Sequence, residues 1–389
     1  MNELLNIYKK KLYLFENERN KLVWLENYVF NILKNINEIS QIKCIKKKIY
    51  NYIEDNKFFT KKIQNIKINH LRDNTFLSEN IINNIFKFDK NTNLINYIYK
   101  VDDLLLNISI FSYNKNQFIK YKYYINNILS LFCLVKKIVG LSCLKNECNI
   151  NIFLTKLEKT INFNNKQILN SENVNTGFCY GCLENNTIIL YREEEFLKVL
   201  LHELLHTFGI DKYLHTLNNN FLNEIISFNT NIVNNLKLYE SYVEVTCLII
   251  YTCYISYKMD NIHYKNIYNI LYKYQLIHSF FQTNKILKYY NLNINDIFYK
   301  GNRINYNEDT NVFCYYILKS YLLYDKYLLY NNKEIVIKPE YYKDVIKKIL
   351  NKYKNITNPL NKKNEIIFKM INQNNNYINN NLRLSAIDL

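Results

Sequence analysis

The sequence predicts an α+β chain, mostly helical, with a small sheet beside one helix that carries two histidines. Three observations predict it. Apolar residues recur every three or four positions through most of the 389 residues, the period of a helix with one buried face. Alternation replaces that spacing in two short stretches, 149–154 and 187–191. Over residues 197–209 an otherwise apolar helical run holds His202, Glu203 and His206.

Taken in order, residues 1–145 are expected to form a helical N-terminal region. Leu22, Leu25, Val29, Ile32 and Leu33 follow the helical spacing, as do Ile125, Ile128, Leu129, Phe132 and Val135. Residues 146–330 are expected to hold both strands and the histidine-bearing helix. That helix is placed at 193–208, with Glu193, Glu194 and Glu195 in its first turn, where they suit the helix dipole, and Gly209 just past its end. Further helices are expected at about 236–257, 263–284, 308–330 and 341–352. Residues 331–389 form a C-terminal helical extension whose polar tail, 372–389, is expected to fray.

Composition bounds the function. A chain of this length suggests two or three sub-domains, and 48% apolar residues suffice for a sizeable core. The net charge is +17, yet only Arg19, Arg72, Arg192, Arg303 and Arg383 are arginine. Lys, Asn, Ile and the 37 tyrosines dominate while Gly (5) and Pro (2) are scarce, the signature of A/T-rich codons. The basic excess lies on the flanks: from Asn186 to Ile250 eight acids face four bases. No nucleic-acid-binding motif accompanies it, so nucleic acid is not the expected partner. Nine cysteines, an N-terminus charged where a signal peptide is apolar, and no apolar run of 18 residues point to a reduced, intracellular, non-secreted protein without a membrane span. Cys179 and Cys182 form a CxxC with Cys143 and Cys148 upstream; ordinary thiols are preferred over a structural zinc because the spacing of the upstream pair is irregular. His70, His263 and His278 are isolated and are assigned to surface or core.

The chemistry is carried by His202-Glu203-Leu204-Leu205-His206, an HExxH. The i, i+4 spacing sets both imidazoles on one helix face, one turn apart, where both can reach one metal ion. Glu203 is placed to take a proton from water activated by that ion. The flanking residues are Leu, Val and Phe, so the polar triplet is buried, and burying it without partners costs several kcal/mol. A bound cation, zinc by ligand type, removes that cost. A third ligand at HxxGxxH or HxxGxxD is absent, since Lys212 occupies the position and Asp211 and His215 miss it. Glu240 and Glu244 supply two carboxylates at i, i+4 on a later apolar helix. One can bind the ion and the other can hold a ligand histidine by its free N–H; spacing leaves open which does which.

The HExxH followed by ExxxE resembles the gluzincin branch of zinc metallopeptidases. More closely, Asn175-Thr176-Gly177-Phe178, Ile189-Leu190-Tyr191-Arg192-Glu193-Glu194, Lys198 to Glu203 and Asn311 to Lys319 are similar to metallopeptidases of large nucleocytoplasmic DNA viruses, poxvirus-like or giant-virus-like. The resemblance covers about residues 148–325. It implies a zincin-like catalytic region, Zn2+ held by His202, His206 and Glu240, Glu244 in support, and Glu203 as general base. It also implies a protein or peptide substrate in host cytoplasm or virion. In this branch the strand before the active helix is the sheet edge, which makes Thr187, Ile189 and Tyr191 the substrate-binding strand, with Asn175 and Thr176 lining the cleft. Tyr239, Tyr242 and Tyr315 are candidates for stabilising an oxyanion. The alternatives are a degenerate, metal-binding structural protein of a virion and a basic nucleic-acid-binding protein.

Overall fold

A computed structural model describes the chain apart from residues 1–5, 7, 16–21, 36–41, 71–76, 141–142, 299–303, 305, 355–358, 372–379 and 388–389. Its main elements are α1 (Trp24–Asn35), β1 (Lys43–Asn51), α2 (Asn56–His70), α3 (Glu79–Ile85), β2 (Asn93–Val101), β3 (Leu104–Ser112), α4 (Lys115–Ile119) and α5 (Tyr121–Val139). There follow β4 (Glu147–Phe153), β5 (Gly177–Cys179), β6 (Asn185–Leu190), α6 (Phe196–Thr207), α7 (Leu238–Met259), α8 (Tyr264–Tyr289), α9 (Lys319–Tyr324), α10 (Pro339–Tyr353) and α11 (Pro359–Ile371). The fold is α+β and mostly helical, with one mixed, open six-stranded sheet. Among the described residues no helix is long and apolar enough to cross a membrane.

The chain divides into two compact units that interleave along the sequence, whereas the sequence pattern placed boundaries at 145 and 330. One unit, Lys34–Lys159 with Ser171–Gly209, holds the sheet in the order β1-β2-β3-β4-β6-β5. β1 pairs antiparallel with β2 and β2 with β3; β3, β4 and β6 pair in parallel, and β5 returns antiparallel to β6. One set of alternate positions, Leu106, Ile108, Ile110, Ile150, Ile152, Ile188 and Leu190, is buried. α6 packs against β5 and β6, and α5 packs on α6 through Tyr124 against Phe196 and Phe132 against Phe208. The other set, Leu94, Phe111, Phe153, Phe178, Ile189 and Tyr191, shares a core with Phe59, Ile66, Ile81 and Ile85 of α2 and α3.

The region before residue 145 is therefore not all helical. Its three strands escape a helix-period reading because β3 is buried on nearly its whole length and so lacks alternation. The β2–β3 turn is only Asp102-Asp103, with Asp102 at φ +53° in place of the glycine that usually announces such a hairpin.

The other unit is Met1–Leu33, Thr160–Asn170 and Ile210–Leu389. α7 packs on α8 and α9, and α8 on α11. α1 is pinned by a buried ion pair, Glu26 with Lys326, to which Tyr268 Oη adds a 2.6 Å hydrogen bond. The helix expected at 308–330 begins as a π-helical turn, Phe313–Leu318, continues as α9 and breaks at Asp325. The tail expectation is overturned for residues 380–387, while 372–379 and 388–389 lie outside the described residues. Leu382, Ser385 and Ala386 are fully buried. The tail backbone is held by Tyr316 Oη on Leu382 O at 2.7 Å, Gln282 Nε2 on Arg383 O at 2.8 Å, and Ala386 N on Gln275 Oε1 at 2.9 Å. Polar sequence here serves backbone-to-side-chain bonding inside the unit.

Candidate metal centre

α6 starts later than its sequence suggests. Glu193, Glu194 and Glu195 precede its first turn, and Glu195 sits at φ +57° without capping the helix. The three carboxylates instead tie the helix entrance to α4 and to the segment after β4. Gln117 Nε2 donates to Glu193 and to Leu154 O, both at 2.7 Å, and Glu193 N donates to Thr155 O at 2.9 Å. Lys159 N donates to Glu194 at 2.9 Å, while Lys159 Nζ forms a 3.0 Å ion pair with Glu195 in which both side chains are fully buried. Burial pushes the Lys159 ammonium pKa down, and the Glu195 carboxylate opposes that shift. Gly209, at φ +79°, ends the helix with its N–H on His206 O at 2.9 Å, a left-handed position that suits glycine.

All 12 residues of α6 are buried, including His202, Glu203 and His206. One turn apart, the two imidazoles bring His202 Nε2 and His206 Nε2 to 3.1 Å, with ring centroids 4.8 Å apart. Two nitrogens bound at about 2.05 Å to one tetrahedral zinc lie about 3.3 Å apart, so the pair fits a single ion with little adjustment. Cys179 Sγ of β5 donates to the backbone carbonyl of Glu203 at 3.6 Å, and burial together with the Glu203 charge pushes that thiol's pKa well up.

Glu240 and Glu244 are both buried near the start of α7, and Glu240 Oε2 accepts a 3.1 Å hydrogen bond from Tyr315 Oη on the π-helical turn. π turns recur at functional sites because the extra residue re-aims the side chains around it. Within the sheet unit, His202 and His206 offer two buried imidazoles to one ion, while Glu240 and Glu244 are buried carboxylates of the other unit. No family model matches the chain, and no curated protein or solved structure does either. Two neutral imidazoles and a carboxylate are the donor set of a three-ligand zinc site.

Other expected site residues lie elsewhere. Ile189 does not form the sheet edge, because β5 covers β6 from Ile188 to Leu190 and is itself the last strand; Tyr191 N donates to Thr176 O at 2.9 Å just beyond, and Thr187 precedes that pairing. Ile189 and Tyr191 point into the sheet core and cannot line a cleft. Asn175 and Thr176 lead directly into β5, where Arg192 Nε donates to Asn175 O at 2.8 Å. Gly177 is required there: a Cβ would fall 2.7 Å from Ile189 O. Tyr242 is committed to Ile335 O, and the Tyr239 ring packs against His215 at 4.2 Å between centroids, tilted by 47°. His215 pairs with Asp211 at 3.1 Å, His263 with Asp260, and buried His278 accepts or donates to Tyr8 Oη at 2.8 Å. The cysteines gather no metal among the described residues, but they are not all thiols, since Cys143 and Cys182 form a disulfide. Sequence reasoning missed the Lys159 and Gln117 clamp. Its only signal is three consecutive glutamates at the mouth of an apolar helix, which need buried partners as much as they suit a dipole.

Proposed function

We propose that the chain is a zinc-dependent metallopeptidase in which His202, His206 and Glu240 hold the ion. The observation that carries the reading is the 3.1 Å separation of the two imidazole nitrogens on a helix buried along its whole length. A zinc ion bound there supplies Lewis acidity toward a peptide carbonyl. Glu203, next in sequence to one ligand, takes the proton of the attacking water and returns it to the leaving amine. Tyr315 fixes the orientation of Glu240 through its hydroxyl. Glu244, one turn on, is assigned to hold a ligand imidazole. An extended protein or peptide substrate adds to the outer edge of β5 by backbone hydrogen bonds, with Asn175 and Thr176 at the entry to that strand. The viral resemblance, with host cytoplasm or virion as its setting, belongs to the same proposal.

The test is Glu203→Gln, which keeps size and an amide but removes the base. Zinc content and melting temperature should match the parent, while cleavage of a peptide library falls by roughly 10²–10⁴-fold. Equal cleavage by parent and variant would remove Glu203 from the mechanism. A parent that binds zinc and cleaves nothing in the library would favour a structural metal site.

A further inference from the structure

The Cys143–Cys182 disulfide stands at the outer end of the shortest pairing in the sheet. β5 has three residues, each paired only to β6, and a ladder that short has little stability of its own. The β5–β6 hairpin rests on α6 through Cys179 Sγ of β5 on Glu203 O at 3.6 Å and Asn186 Nδ2 of β6 on Thr207 Oγ1 at 3.2 Å. The tip of the hairpin, 180–184, is tied to the segment before β4. Lys145 N and Asn146 N both donate to Glu184 O, at 3.0 and 3.1 Å, and the disulfide joins Cys182 to Cys143 across 39 residues with Cα atoms 5.1 Å apart. Of the bonded pair, Cys182 is exposed and Cys143 half-buried, whereas Cys148 is buried and the Cys179 thiol faces α6.

We propose that Cys143–Cys182 is a thiol–disulfide exchange site, open to dithiol reductants at Cys182, whose reduction loosens the β5 edge strand. A thiolate of the dithiol attacks the exposed Cys182 sulfur, and Cys143 leaves as a thiolate that takes up a proton. The second dithiol thiolate then attacks the mixed disulfide, Cys182 leaves and is protonated, and the reductant closes to a cyclic disulfide. Two electrons pass from dithiol to protein. Exposed bridges between loops are the ones such reagents reach, and without the bridge the tip is held to the segment before β4 by the bonds to Glu184 O and an exposed Lys145–Glu184 ion pair. The inference rests on residues of the sheet unit alone and does not require α6 to hold a metal.

The experiment compares the full chain, oxidised and treated with dithiothreitol, by hydrogen exchange and by alkylation of free thiols. Reduction should expose two new thiols, Cys143 and Cys182, and speed amide exchange over 177–184 roughly 10- to 100-fold while α5 is unchanged. The Cys143→Ser/Cys182→Ser pair should exchange like the reduced parent and ignore the reductant. Cys179→Ser should keep both the bridge and its response. Free Cys143 and Cys182 in protein kept without reductant, a bridge trapped between Cys179 and Cys182, or identical exchange in both redox states would each overturn the proposal.

Discussion

α6 and α7 are both apolar helices buried almost end to end, and both carry polar residues, but they dispose of them differently. In α7 the hydroxyls turn back on their own helix: Ser241 donates to Leu238 O at 2.6 Å, Thr246 to Tyr242 O at 2.8 Å, Thr252 to Leu248 O at 2.7 Å and Ser256 to Thr252 O at 2.6 Å. Tyr342 and Tyr330 complete the first two of these, at 2.7 and 2.8 Å. Such groups satisfy burial locally and ask for no ligand. In α6 the two imidazoles face each other, and two nitrogens at that distance can share at most one proton between them. Burial alone therefore does not mark a site; what marks it is polar chemistry aimed away from the helix's own backbone. The lesson also explains the clamp, because charges at the α6 entrance are satisfied by a neighbouring segment and not by capping.

Breaking that contrast at its strongest point means removing an imidazole. Purified protein should carry about one zinc per chain, as one three-ligand site requires, and His202→Ala or His206→Ala should bring it close to zero. His263→Ala, which alters only an exposed pair with Asp260, should leave it unchanged. Zinc that persists in the His202/His206 double variant would place the ion elsewhere.

The clamp can be opened without touching α6. Lys159→Met removes the ammonium paired with buried Glu195 and should destabilise the protein by about 3–5 kcal/mol, measured by chemical denaturation. A loss below about 1 kcal/mol would mean the pair contributes no more than an exposed one.

The finest distinction lies within α7, between two buried carboxylates one turn apart. Glu240→Ala should yield largely metal-free protein. Glu244→Ala should keep the ion but weaken its retention against chelators by ~10–100-fold. Zinc retained in Glu240→Ala and lost in Glu244→Ala would exchange their roles.

Much of the site is legible in the sequence because the period of a helix is rigid: His202 and His206 at i, i+4 must share a face, whatever surrounds them. β4 and β6 are legible too, β4 by the alternation around Ile150 and Ile152 and β6 by the β-branched run Thr187-Ile188-Ile189. The edge strand is not. β5 is too short for a periodic signal, and Gly177, which reads as a turn, is there because the strand approaches Ile189 O too closely for a side chain. The packed tail is equally hidden, since Asn381, Arg383 and Ser385 look solvent-facing until their backbone partners are known. The disulfide depends on two cysteines 39 residues apart, and no local pattern encodes that pairing.

The Glu26–Lys326 pair has one consequence for the making of the protein. Its two members are 300 residues apart in the chain, as Tyr8 and His278 are 270 apart. At roughly 5–20 residues per second, a ribosome delivers Lys326 about 15–60 s after Glu26. Through that interval the start of α1 carries a carboxylate destined for burial with no cation to meet it, and has reason to stay in water. The sheet unit ends at Gly209 and has all its strands well before then. Synthesis thus offers the histidine helix a finished sheet to settle on while the helical unit still awaits its own first turns.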